Sequence, residues 1–320
     1  MSPVDAARGL AEELLFPDAD LIDAAPVVPR RYLDAIAEAG LYHLPDNRAE
    51  AARVIESLAG GSLVTTFVWM QHHSTVRAVA AAGGDLADEW LDALRSGRKR
   101  SGIAYAALRR PGPPPATAEL SPAGDGSWLL CGFAPWVTGW GLVDVVLAGA
   151  RRRNEVVWFL LDAKCTVGQE ARRVALAALN ASATVRLAWD RLVVPPQRLV
   201  GVEAYDDWRR RDLMGMASNG YLAVGVAARC AVLLESPTLD AEVDALRRRL
   251  DRSKPSDVAS ARADASLLAV RAAAAVVAAG GGKSVEAGAT AARLMREATF
   301  LLVFGQTTEI RARQTAELGL

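Results

Sequence analysis

Apolar positions in the first hundred residues recur with the period of a helix. In "PRRYLDAIAEAGLY", Leu33, Ile36 and Ala37 fall on one stripe, Pro29 stands at the first turn and Gly40 marks the end. The same period runs through "NRAEAARVIESLAGG", "SLVTTFVWMQHHSTVRAVAAAGG" and "LADEWLDALRSG", and predicts three more helices separated by Gly-rich gaps. Between about 100 and 200 the pattern changes to β-branched and aromatic runs broken by turn residues. "TAELSPAGDGSWLLCG" predicts a hairpin, with Asp125 and Gly126 supplying the positive φ angles of a tight turn. "VDVVLAGARRRNEVVWFLLDA" predicts a second hairpin that turns within Arg151 to Asn154. "ATVRLAWDRLVVP" predicts a last strand, stopped by Pro195 and Pro196 because proline cannot donate to a central ladder.

From about Glu203 the helical period returns and holds to the end. "DLMGMASNGYLAVGVAARCAVLLE", "AEVDALRRRL", "SDVASARADASLLAVRAAAAVVAAGGG" and "SVEAGATAARLMREATFLLVF" are Ala-rich, apolar on one side and predicted to pack as a bundle. The chain therefore divides into helices over 1–100, a small antiparallel β-domain, barrel or sandwich, over 101–200, and a helical bundle over 201–320. The fold class is mainly α with a central β-domain. "RRPGPPPATA" is a loop by composition.

Composition narrows the function. The 320 residues are 51% hydrophobic and 23% charged, enough to bury a large core. The 37 basic and 37 acidic residues cancel, so no global field recruits nucleic acid or an anionic membrane. The arginine clusters "RRRN" and "LRRRL" lack interleaved aromatics, which also speaks against a nucleic-acid face. Cys131, Cys165 and Cys230 are too scattered for a disulfide framework or a zinc site, and are expected as small core residues in a reducing cytoplasm. No metal is expected. The N-terminus lacks a basic segment followed by an apolar run, and no uninterrupted apolar run reaches the roughly 20 residues of a membrane span, so no membrane role is expected. His72 and His73 are adjacent, so on a helix they do not form a same-face metal pair. One of them points into a cleft as an acid/base group, or each is a satisfied core or surface histidine.

The order of helices, β-domain and bundle resembles the acyl-CoA dehydrogenase family over nearly the whole chain. "GFAPWVTGWGLVDVVLAGA" is similar to the family's strand carrying Trp-x-Thr/Ser, and "LAALNASATVRLAWDRLVVPPQRLVG" to its later strand and Val-Pro sequence. "RLMREATFLLVFGQTTEI" keeps the family's spacing from an arginine, Arg296, to its aromatic-Glu-Gly-Thr position. The resemblance implies FAD, with the isoalloxazine against Trp136 and the Thr138 hydroxyl at the edge where electron density accumulates as hydride arrives. From the residues alone Trp136 reads as a core aromatic and Thr138 as a turn residue. Tyr105, Gly281, Gly282 and Thr307 also match cofactor positions. "AAGGGKS" reads equally as a helix C-cap; it is not a phosphate-binding P-loop, because Val277 stands where the first glycine would be.

The sequence departs from the family where phosphates and protons are handled. "GIAYAALRRPGPPPATA" replaces the Gly-rich phosphate segment, so a proline run removes amide donors and only Arg109 and Arg110 supply charge. The Arg-x-x-Phe-Gly segment that follows the first bundle helix is absent from "LLESPTLDAEVDALRRRLDRSKPSD". Spacing from Arg296 puts the catalytic glutamate at Gly305, and the alternative position on the first bundle helix falls near Gly215. Neither has a side chain. Asp212 and Glu309, each one turn away, are the remaining carboxylates, either displaced bases or plain surface acids, so the catalytic residue is not assigned. Three functions follow from the resemblance. One is a flavin-dependent oxidoreductase acting on an acyl thioester or related metabolite with a displaced base; the second is a flavin monooxygenase of the same fold; the third is a catalytically silent subunit paired with an active homologue. A homo-oligomer or hetero-oligomer is expected.

Overall fold

"VVLAGARR" and "EVVWFLLD" form the central hairpin because nearly every residue in them is apolar. A strand buried on both faces reads as a continuous run rather than an alternation. In the computed structural model, which describes residues 1–110 and 112–319, these are β4 (Val145–Arg152) and β5 (Glu155–Asp162). Arg152 pairs with Glu155 across a two-residue turn in which Arg153 adopts φ 53°. One face of the hairpin, with Val146, Ala148, Val157 and Phe159, enters the sheet's main core, and the other, with Val145 and Leu160, packs on Val76, Val79, Trp90 and Leu94.

The chain divides into two compact units. The second, residues 68–175 and 182–210, is built on one eight-stranded sheet. It adds β1 (Ser101–Ala104), β2 (Ala116–Leu120), β3 (Trp128–Val137), β6 (Gln169–Arg173), β7 (Val185–Val194) and β8 (Leu199–Ala204). The order is β6-β7-β3-β2-β4-β5-β8, with β1 parallel to β4; β2 also runs parallel to β4, and the other pairings are antiparallel. The last strand is therefore β8, beyond Pro195 and Pro196, not β7. The β2–β3 connection is also not a tight two-residue turn. Leu120 pairs with Trp128 across seven residues, Gly124 and Gly126 take the positive φ angles, and the Asp125 carboxylate accepts from the Ser127 amide at 3.0 Å.

The first unit, residues 1–67, 176–181 and 211–320, is helical. It holds α1 (Pro3–Leu10), α2 (Ala19–Ala24), α3 (Arg30–Glu38) and α4 (Arg48–Gly61). α5 (Leu63–Ala82) starts here and continues into the second unit, which also contains α6 (Gly84–Arg95). α7 (Tyr205–Gly215) ends in the first unit, which then continues through α8 (Gly220–Leu233), α9 (Pro237–Asp251), α10 (Val258–Gly280), α11 (Thr290–Val303) and α12 (Thr308–Glu317). Pro29 is the residue just before α3, and Gly40, at φ 74°, ends it.

Gly60 and Gly61 lie inside α4 rather than in a gap. A Cβ on Gly225 of α8 would sit 2.3 Å from the Glu56 carbonyl oxygen, and one on Gly60 would sit 3.1 Å from the Gly225 carbonyl oxygen. The two helices cross backbone to backbone, which only glycine permits. The real break follows α5, at Gly83 and Gly84, both with positive φ.

Two helical stretches, 205–233 and 258–285, are long and apolar enough by length and composition to cross a membrane, which corrects the expectation that no segment qualifies. The most apolar window of the first is 72% buried inside the protein and that of the second 33%. The cysteines also divide: Cys230 is buried, Cys131 half-buried and Cys165 exposed, so only Cys230 is the core residue expected of all three. Burial pushes the Cys230 thiol up to about 12, with Glu297 adding to the shift.

Candidate functional site

The Trp-x-Thr segment lies in the second unit at the end of β3. The register against β7 slips between Ala134 and Val137, and a bulge of this kind re-aims side chains. Trp136 emerges 46% exposed, whereas Trp128, Trp158, Trp189 and Trp208 are buried. Thr138, two residues on, is buried, so the two side chains do not share one environment along the strand. The Thr138 hydroxyl lies 3.4 Å from that of Thr184, which lies 2.8 Å from that of Ser182. Backbone bonds fix this corner: the Gly139 amide donates to the Ser182 carbonyl at 2.8 Å and the Trp140 amide to the Ala183 carbonyl at 3.2 Å. An earlier slip in β3 surrounds Gly132, where φ is 109° and a Cβ would stand 2.1 Å from the Pro115 carbonyl oxygen.

Tyr105 is buried in an aromatic cluster, edge-on to Trp158 with ring centroids 5.1 Å apart and to Trp208 at 6.5 Å. The Arg109 guanidinium lies 5.7 Å from the centre of its ring, and Arg110 is exposed. Pro111, within the expected loop, falls outside the described residues. His72 is a satisfied core histidine. It accepts from the Ser101 amide at 3.1 Å through Nδ1, and its Nε2, carrying the proton, donates to the Leu94 carbonyl at 3.0 Å. Burial lowers its pKa to about 4. His73 is buried against Trp69, with ring centroids 4.5 Å apart.

The expected base positions lie in the first unit. Gly305 follows α11 at φ 60°. Its chain neighbours aside, a Cβ built there would meet, within 4 Å, the Asn219 side-chain nitrogen at 3.1 Å and the Arg262 Nη2 at 4.0 Å. Both are donors. Arg262 is 1% exposed, and its Nη2 donates to the Phe304 carbonyl at 2.7 Å. Its Nε and Nη1 have no partner, and no carboxylate pairs with it among the described residues. Burial lowers its pKa to about 10. Arg262 carries little local signal in the sequence: a single arginine on an Ala-rich helical face, between Ala261 and Ala263.

The other singled-out residues have local structural work. Gly215 ends α7, exposed, with nothing near its missing Cβ. Asp212 is half-buried in α7. Thr307 caps α12, its hydroxyl accepting from the Ile310 amide at 3.3 Å, and Glu309, exposed in that first turn, suits the positive end of the helix. Gly281 is the C-cap of α10 at φ 61° and Gly282 continues the following turn. Arg296 pairs with Asp23. A surface cavity of about 290 Å3 lined by Arg48, Tyr221 and Asp251 contains none of the expected site residues.

No family model matches the sequence, and no curated protein does. Solved structures do match. Butyryl-CoA dehydrogenase from Megasphaera elsdenii is 17% identical with a TM-score of 0.81, over 99% of this chain and 97% of its own. Glutaryl-CoA dehydrogenase from Mycobacterium smegmatis in complex with FADH2 is 16% identical with a TM-score of 0.79, over 99% and 93%. The FAD complex of PigA is 19% identical with a TM-score of 0.83, over 99% and 97%. The chain has the acyl-CoA dehydrogenase fold.

Proposed function

We propose that the chain is a flavin-binding oxidoreductase acting on an acyl thioester or related metabolite. The carrying observation is Trp136, an aromatic turned outward by a bulge beside a buried hydroxyl cluster. A flat, half-apolar ring fits there: the indole offers a face for stacking and the Thr138–Thr184 pair a donor held in place by its neighbours. The crystal forms of similar structures that contain FAD or FADH2 support the same reading. When bound, the flavin would supply the acceptor for a hydride. The protein's own part is to orient: Trp136 sets the plane of the ring and Thr138 directs a hydroxyl to its edge. We place no flavin contact on Tyr105, Gly281, Gly282 or Thr307, because packing and capping already account for them.

Proton removal is where this chain departs from the fold's usual chemistry. A base must accept a proton, and the corner at Gly305 presents donors. With Asp212 and Glu309 in helical settings of their own, the chain is expected to turn over simple saturated acyl-CoAs poorly, since general-base catalysis commonly contributes about a hundred- to ten-thousandfold. The same observation favours a second reading in which α-proton removal is not required of the chain, as in a flavin monooxygenase or a silent subunit. Exposed Val232, Leu233 and Val303 on the bundle suit an oligomer, homomeric or with a related chain.

The test is spectroscopic. Purified protein should be yellow, or become so with added FAD, and should bleach with substrate or NAD(P)H. Colourless protein that takes up neither FAD nor FMN overturns the flavin reading. Vigorous wild-type turnover of saturated acyl-CoAs, unchanged in Asp212→Asn and Glu309→Gln, would show that the base lies elsewhere.

A further inference from the structure

Burying a guanidinium is costly unless its donors and charge are matched. The other two buried guanidiniums of the first unit have their charge matched by carboxylates, although Arg293 Nη2 also has no hydrogen-bond partner. Arg293 is 3% exposed in its side chain and pairs with Asp20 at 2.7 Å and Glu297 at 3.0 Å; Arg229 pairs with Glu12. Arg262 differs: it has one carbonyl partner, two donor nitrogens without partners and no carboxylate. Asn219 is half-buried beside it, and its side-chain amide nitrogen faces the space left by the missing side chain of Gly305. Two donor groups, one of them charged, border that space: the Asn219 amide nitrogen stands 3.1 Å and Arg262 Nη2 4.0 Å from where a Cβ on Gly305 would be.

We propose that the niche formed by Arg262, Asn219 and Gly305 binds a carboxylate carried by the ligand. The position where the resemblance puts a protein carboxylate has become a receptor for one. A carboxylate suits it because two oxygens can engage two separated donors, and a charge-assisted bond to arginine is among the stronger polar contacts. The site lies within one compact unit and needs no flavin. It rests on the functional reading above only in naming the substrate class, an acid-bearing acyl compound rather than a plain saturated one.

The experiment uses the full chain without added flavin. Acetate and glutarate are titrated at constant ionic strength, with chloride and sulfate as controls, and thermal stability is followed. Saturable stabilisation by the carboxylates is expected, because a ligand that binds the folded state raises its melting temperature. Arg262→Met should weaken apparent affinity at least about tenfold, the ordinary effect of losing a charged hydrogen-bond partner. Should that variant fail to fold, Gly305→Glu tests the same niche by filling it from within, and should abolish the response.

No carboxylate effect in the wild type, or an equal effect in Gly305→Glu, overturns the proposal. Equal stabilisation by chloride and sulfate overturns the assignment to a ligand carboxylate. A colourless protein that shows the carboxylate response retires the flavin reading and leaves the niche standing.

Discussion

Two corners carry the residues that matter most, and they have been treated in opposite ways. At the end of β3, in the second unit, Trp136 and Thr138 keep the residue types the resemblance calls for, on a backbone locked by bonds to Ser182 and Ala183. After α11, in the first unit, Gly305 stands where the resemblance puts a glutamate, and the groups bordering its missing side chain are the Asn219 amide nitrogen and Arg262 Nη2. A surface that holds a planar ring asks for shape, and shape survives substitution nearby. A proton-transfer site asks for one atom in one place, and a single change removes it. On the proposed reading, cofactor binding and reaction chemistry separate on one fold.

The largest expected effect compares two glycines with positive φ. Gly132→Ala forces a Cβ onto the Pro115 carbonyl at φ 109° and should cost more than about 3 kcal/mol or prevent soluble expression. Gly305→Ala meets the backbone penalty and one tight contact, with the end of the Asn219 side chain at 3.1 Å, and should cost only about 1 kcal/mol by chemical denaturation. Equal costs would mean that the two corners are not held as differently as described.

Next is pH. The unfolded-state pKa of His72 is near 6.5 and its folded value about 4. Between those values the unfolded chain binds more protons, so stability should be full above about pH 6.5, fall as pH drops towards 4, and show no further loss from this group below that. The total is about 3 kcal/mol. Denaturation midpoints across this window check it, and His72→Gln should flatten the slope.

Trp136→Ala should weaken FAD uptake about tenfold or more, while Trp136→Phe keeps most of it. Gly305→Ala should leave uptake unchanged, which keeps the ring-holding and reacting corners apart. The smallest effect is chemical labelling. Exposed Cys165 in the second unit should react with a maleimide in the native state, whereas Cys230 in the first, buried and pushed up to about 12, should wait for unfolding.

The sequence reading reached the long elements. α5 and the β4–β5 hairpin were legible because their patterns run for eight residues or more. β1, β6 and β8 were not: they have four to six residues, and "QEARR" is mostly charged. Such strands are specified by the partners they pair with rather than by their own composition. Gly60 and Gly61 were read as a gap because close approach of a second helix leaves no local trace. The slip that exposes Trp136 arises from pairing with β7, and the isolation of Arg262 from the lack of a pairing carboxylate among the described residues. Neither can be seen along a single strand or helix. The placement of a glutamate position at Gly305 came from counting from Arg296, and that near Gly215 from aligning the first bundle helix with the family's.

The crossing of α4 and α8 has a consequence for laboratory evolution. If codons 60, 225 and 305 are randomised together and folded variants are sequenced, glycine should be recovered almost without exception at 225, mostly at 60, and diluted by other residues at 305. The recovered frequencies would then distinguish glycines kept because another backbone occupies their space from one kept because something else must enter.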